Sequence, residues 1–146
     1  MTLSEYRGRL LNVPFINDLP GPLRERVAMC LFWIGQPAQF AVGDTIFVQG
    51  NEDENTGCAL LLGEVEVLRD SQAPVRVPAP DLVGEMQQLE PTAQRTATVQ
   101  VTLEAQTLLF SWHDFVACLG MVLTPNEQVV LRDVIRASAT HRQRPQ

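Results

Sequence analysis

The chain has 146 residues, 45% of them hydrophobic, enough for one domain with a genuine core but not for a second full domain. Its formal net charge is −6 and all 11 of its basic residues are arginine. This excludes lysine Schiff-base and lysine general-base chemistry, and it opposes stand-alone nucleic-acid binding, where phosphate neutralisation supplies most of the affinity.

The N-terminal forty residues read as helical. Leu10, Leu11, Val13, Phe15, Ile16 and Leu19 form an apolar cluster interrupted by Pro14 and Pro20. Pro22 suits the first turn of a helix, where its missing N–H costs nothing. Leu23, Val27, Cys30, Leu31 and Ile34 then recur at helical spacing, and Gly35 and Pro37 end the run. The middle of the chain changes character to short β-prone runs. These are Thr45–Val48, a polar turn at 50–55, Cys58–Leu62, a break at Gly63, and Glu64–Leu68 with period-two alternation. Asp70-Ser71-Gln72 reads as a hairpin turn, followed by prolines at 74, 78 and 80. Two further strands are predicted at Thr96–Val101 and Thr107–Phe110. Many short strands at near-regular spacing predict a closed sandwich or barrel. Helix returns at the end. Ser111 with Asp114 makes a capping start, and Thr124-Pro125-Asn126-Glu127 makes a stronger one. Val130, Leu131, Val134 and Ile135 mark an apolar stripe running to about Thr140. It either dimerises or packs on the strands.

No apolar run approaches the ~18 residues of a membrane-spanning helix. The N-terminus also lacks the basic stretch and apolar core of a signal peptide. The prediction is a cytoplasmic chain without a membrane span. Cys30, Cys58 and Cys118 are odd in number and widely spaced, fitting neither a disulfide framework nor a zinc site. Three buried or half-buried thiols are expected. His113 and His141 are the only histidines, too few for a metal site on a β-barrel. His113 and Asp114 are adjacent on a helix and do not face each other, so they make no dyad. No catalytic residue, metal or bound cofactor is predicted.

One segment carries chemistry: Asp81-Leu82-Val83-Gly84-Glu85-Met86-Gln87-Gln88-Leu89, then Gln94-Arg95-Thr96-Ala97-Thr98-Val99. Gly84 allows a sharp turn and close approach of a ligand to the backbone. A short helix from Glu85 would direct unpaired N–H groups at an anion. Arg95 offers a guanidinium fork to the same anion, and Thr96 adds a hydroxyl. Glu85 repels a phosphate but accepts hydrogen bonds from a sugar hydroxyl beside it. The set suits a ligand with one phosphate next to one ribose hydroxyl.

This segment resembles the phosphate-binding cassette of cyclic nucleotide-binding domains: Gly-Glu, a short helix, then Arg-Ser/Thr-Ala. The Glu85 to Arg95 separation is similar to that of bacterial catabolite-activator-type sensors. Pro14-Phe15 with Leu19 resembles the family's helical lead-in. Phe40-x-x-Gly43-Asp44-Thr45-Ile46-Phe47-x-x-Gly50 resembles its first strands, and Leu60-Leu61-Leu62-Gly63-Glu64-Val65-Glu66-Val67 its central hairpin. Leu109 through Phe115 resembles its last strand and hinge helix. The resemblance spans roughly residues 10 to 135.

It implies a mainly β fold with flanking helices: a jelly-roll-like β-roll, N-terminal helices, a short cassette helix and C-terminal hinge helices. A single domain is expected over residues 1–142, with the roll at about 38–111, the C-terminal helices at about 112–140, and a tail at 143–146. The implied ligand is a cyclic mononucleotide, cAMP or cGMP. Arg95 would pair with its phosphate and Glu85 would take the ribose 2′-hydroxyl. Gly84 and the N–H groups near Met86 and Gln87 would line the phosphate site. Thr96 would bond the phosphate, or the purine if the base is syn. Arg132 and Arg136, four apart on one helix face, either reach over the pocket to the base or stay solvated. Trp33 and Trp112 are expected in core or hinge packing.

The family's transcription factors carry a helix-turn-helix after this domain. This chain ends before one, so direct DNA binding is not expected. The output would instead pass through the C-terminal helix to a protein partner or a homodimer. The pattern departs from the family at Pro80, Gln87 and Gln88. Those departures define the alternative, a degenerate pocket in a protein-interaction or scaffold domain. An enzyme is not expected.

Overall fold

The computed structural model describes residues 1–50, 55–84 and 97–143. Three helices lead: α1 (Leu3–Leu11), α2 (Pro14–Asn17) and α3 (Gly21–Ile34). Thr2 and Glu5 form a reciprocal capping box on α1. Proline occupies the first turns of α2 and α3. The predicted stripe of α3 is buried at Leu23, Val27, Cys30 and Leu31.

Six antiparallel strands follow: β1 (Gln36–Phe40), β2 (Thr45–Phe47), β3 (Thr56–Leu68), β4 (Val75–Pro78), β5 (Asp81–Val83) and β6 (Thr98–Ser111). The long strands β3 and β6 pair over their whole length and form the spine. The sheet forks around them. In one half β1 flanks β6 and β5 flanks β3. In the other half β2 flanks β6 and β4 flanks β3. The result is the expected β-roll with flanking helices.

Two readings of the strands are corrected. Gly63 does not end a strand, and the stretch Leu60–Val67 is not a hairpin; it runs through the middle of β3. The hairpin is β3–β4, with its turn beyond Leu68. Gly63 adopts φ +96° at a place where the β3–β6 register shifts repeatedly between Leu60 and Val65. Its left-handed conformation bends the strand while ladder pairing continues on both sides, the behaviour of a bulge glycine. A Cβ there would lie 2.3 Å from the Glu104 carbonyl oxygen. The runs predicted separately at Thr96–Val101 and Thr107–Phe110 are likewise joined in β6, because both face the continuous β3.

Strand alternation feeds two cores. Cys58, Leu60, Val65, Val83, Val99, Val101 and Ala105 pack inside the roll with Phe47 and Val77. Ala59, Leu61, Leu82, Leu108 and Phe110 face the other way, onto α1, α2, α3 and the C-terminal helices.

The C-terminal helices are α4 (Trp112–Val122) and α5 (Pro125–Gln143). The Ser111 hydroxyl accepts from the Asp114 N–H at 3.3 Å. Thr124 and Glu127 exchange both bonds of a capping box, at 3.2 and 2.9 Å. The α5 stripe is divided. Leu131 is buried against the helical core and Val134 packs beside it, while Val130 stays exposed. Among the described residues no helix is long and apolar enough to cross a membrane.

Candidate functional site

β5 delivers the chain to the candidate site. It pairs with β3 through Asp81↔Leu60, Leu82↔Ala59 and Val83↔Cys58. Leu82 enters the helical core and Val83 the roll core, so consecutive side chains fix the strand from both faces. Gly84 follows with φ +92°, a left-handed turn that glycine takes without a Cβ penalty. Its carbonyl accepts a hydrogen bond from the Trp112 indole N–H at 3.3 Å. Trp112 is the first residue of α4 and is 1% exposed, stacked edge-on against Phe110 and tilted against Phe115. The turn that opens the Gly-Glu segment is thus bonded to the start of the hinge helices.

The chain returns at Ala97, which is buried, and enters β6 at Thr98. The Thr98 hydroxyl accepts from the Gln49 backbone N–H at 2.9 Å, and Gln49 in turn donates to the Asp70 carboxylate at 3.2 Å. Both flanks of the segment are therefore held by named bonds. Glu85, Met86, Gln87, Arg95 and Thr96, with the short cassette helix, lie outside the described residues. Arg132 and Arg136 are exposed on α5. Among the described residues, neither is held by a hydrogen bond or ion pair.

Several features are not legible in the sequence. Arg26 of α3 makes a fork to the Glu127 carboxylate, with one bond of 3.0 Å, and also donates to the Val122 carbonyl at 3.3 Å. This clamps α3 to the junction between α4 and α5. The hydrogen bond from Arg26 holds the Glu127 carboxyl below its usual range, and the Glu127 carboxylate raises Arg26 in return. The only advance signal was Glu127 as a capping residue; its long-range partner has none.

Trp33 departs from expectation: it is 62% exposed. It lies off the buried stripe of α3, one turn beyond Met29. With Leu3, Leu10, Ala28, Met29 and Phe32 it lines an apolar groove of about 290 Å³ between α1 and α3, with the Arg7–Glu25 ion pair also at its lining. Trp112 does pack in the core, as expected. The three cysteines are free, with Cys30 and Cys58 buried and Cys118 half-buried.

No protein-family model matches the sequence, and no curated protein matches it. Solved structures do. One, described as Sp-2Cl-cAMPS bound to PKAR CBD2, superposes with a TM-score of 0.68 at 23% identity, covering 93% of this chain and 86% of that one. The sensor domain of the transcriptional regulator DNR from Pseudomonas aeruginosa gives 0.68 at 17%, covering 94% and 92%. The regulatory subunit of a cAMP-independent protein kinase A from Trypanosoma brucei gives 0.70 at 21%, covering 94% of this chain and 45% of that one. The helical lead-in, the forked six-stranded roll and the paired C-terminal helices together give this chain the fold of a cyclic nucleotide-binding domain.

Proposed function

We propose that the chain is a regulatory sensing module for a cyclic mononucleotide, cAMP or cGMP, that relays occupancy through α4 and α5 to a protein partner or a second copy. One observation carries the relay: the Gly84 carbonyl, at the mouth of the Gly-Glu segment, is bonded to Trp112 at the head of α4. A change in the Gly84 turn on binding would be felt at the first turn of the hinge helices. A ligand that prefers one setting of that turn shifts the population of the other.

The site residues take the roles that their chemistry suits. Arg95 pairs with the phosphate, Thr96 and the N–H groups at Met86 and Gln87 add to it, and Glu85 accepts from the ribose 2′-hydroxyl. Arg132 and Arg136, exposed and without a partner among the described residues, are the candidates for the base. The cAMP analogue bound in one structural neighbour supports the ligand class.

The test is thermal melting with and without cAMP and cGMP, for the wild type and Arg95→Ala. A ligand at a hundred times its dissociation constant adds about 2.7 kcal/mol to the folded state. A rise in melting temperature with one nucleotide, lost in Arg95→Ala, is expected. A well-folded wild type that responds to neither overturns the sensing role.

A protein-interaction module with a closed or altered pocket is the second reading. The exposed apolar groove around Trp33 favours it. So does the appearance of the same fold in the regulatory subunit of a protein kinase A that is described as cAMP-independent.

A further inference from the structure

Helices α3 and α4 pack against each other, and their contact brings Cys30 and Cys118 together although they are 88 positions apart in sequence. The sulfurs lie 3.0 Å apart and share a hydrogen bond. A covalent S–S bond is about 2 Å long, so an approach of about 1 Å joins them. The two thiols differ in access: Cys30 is buried in the helical core and Cys118 is half-buried. The third thiol, Cys58, lies in the separate core of the roll.

We propose that Cys30 and Cys118 form a dithiol–disulfide modification site, oxidised by a hydroperoxide and restored by a dithiol reductant, that cross-links α3 to α4. The sulfur of Cys118, the more exposed of the two residues, attacks the terminal oxygen of the hydroperoxide. The O–O bond breaks, the alcohol leaves with the thiol proton, and Cys118 becomes a sulfenic acid. The Cys30 sulfur then attacks the Cys118 sulfur. An S–S bond forms, the S–O bond breaks, and hydroxide leaves as water with the Cys30 proton. The two thiols lose two hydrogens and two electrons; the hydroperoxide is reduced to alcohol and water. A dithiol reductant returns both hydrogens by exchange and is itself oxidised to a disulfide.

Burial, aided by the hydrogen bond with Cys118, pushes the Cys30 thiol up to about 12. Cys30 is therefore protonated at rest and does not make the first attack; its position 3.0 Å from Cys118 makes it the resolving thiol, which gives up its proton as it attacks. Burial also pushes Cys58 up to about 12, which removes it as a competitor. The cross-link would fasten α4, whose first residue holds Gly84, to α3. The inference needs no nucleotide and does not depend on the sensing role.

The experiment treats the reduced full chain with hydrogen peroxide in the absence of nucleotide. It reads titratable thiols, intact mass, and melting temperature before and after dithiothreitol. Thiols titrated after unfolding in denaturant are expected to fall from three to one. The mass should drop by about 2 Da, the two lost hydrogens. Peptide mapping should give a single intrachain Cys30–Cys118 link, and dithiothreitol should reverse all three changes. The oxidised form should melt on the order of 10 °C higher, because the bond closes a long loop in the unfolded chain. Cys118→Ser, altered at a half-buried position, should melt like the reduced wild type and form no link. Oxygen adducts on Cys118 with Cys30 still titratable, or links between chains in place of the internal one, would overturn the proposal.

Discussion

Gly63 shows how much one residue decides. Its φ of +96° lies in the left-handed region, and the space where a Cβ would stand is filled by backbone of Leu103, Glu104 and Ala105. Backbone cannot swing aside as a long side chain can. Gly63→Ala should therefore lose about 3 kcal/mol or more, combining left-handed strain with displacement of β6. Urea denaturation measures this directly; a loss below about 1 kcal/mol would show that the bend relaxes. Gly57, by contrast, abuts a side chain, the ring of Phe110. The sequence marks Gly63 as a break in an apolar run, but its neighbours do not say whether the chain stops or bends there. Only the unbroken partner strand decides that. Among the site residues, Gly84 and its turn were legible as a motif, while the bond from Trp112 was not, because it joins segments 28 positions apart.

Among the elements, α5 is secured at its start. Thr124 and Glu127 cap it, and Arg26 reaches across from α3 to the same carboxylate. The Arg26 bond lowers the folded-state value of Glu127, so this link stabilises the fold above the ordinary carboxylate value of 4.5 and is lost as pH falls through the lowered one. Glu127→Gln retains a side chain able to close the capping box but removes the charge. It should melt below the wild type at pH 7, and the difference should shrink toward zero as pH falls through the acid range. A difference that does not change with pH would mean that the carboxylate charge contributes nothing. Helix starts of this kind were plain in the sequence, since capping is local. The clamp was not, since no spacing rule links Arg26 to Glu127.

For the whole molecule, the two cores are not independent. β3 and β6 line both, with neighbours such as Ala59 and Leu60 facing opposite ways. Losing either core should unfold the common spine, so unfolding is expected to be all-or-none. In Trp33→Phe the remaining indole, Trp112, reports on the helical core alone, while far-ultraviolet dichroism reports on the entire chain. The two melting curves should coincide, and they should move together by several degrees in Leu60→Ala, a change confined to the roll. Separate transitions would show that the helices and the roll melt as distinct units. Fold class was legible at this scale because glycine spacing, strand alternation and terminal capping all agree. The exposure of Trp33 and the meeting of Cys30 with Cys118 were not, since both depend on how helices are rotated in the assembled molecule.

The bend in β3 also sets a frame for the chain. From Leu60 to Val65 the strand advances one residue less than β6 does between Thr107 and Val101. Even-numbered residues face the roll interior before the bend, and odd-numbered ones after it. Inserting a single residue beside Gly63 would even out the count, so plain alternation alone would carry Leu60 and Val65 to the same face and the bend would have no reason to form. Val65 and Val67 would keep their partners Val101 and Val99 and still pack inward. The missing residue is thus what bends the strand, and a one-residue insertion there should be tolerated better than Gly63→Ala, which keeps the bend and fills its space.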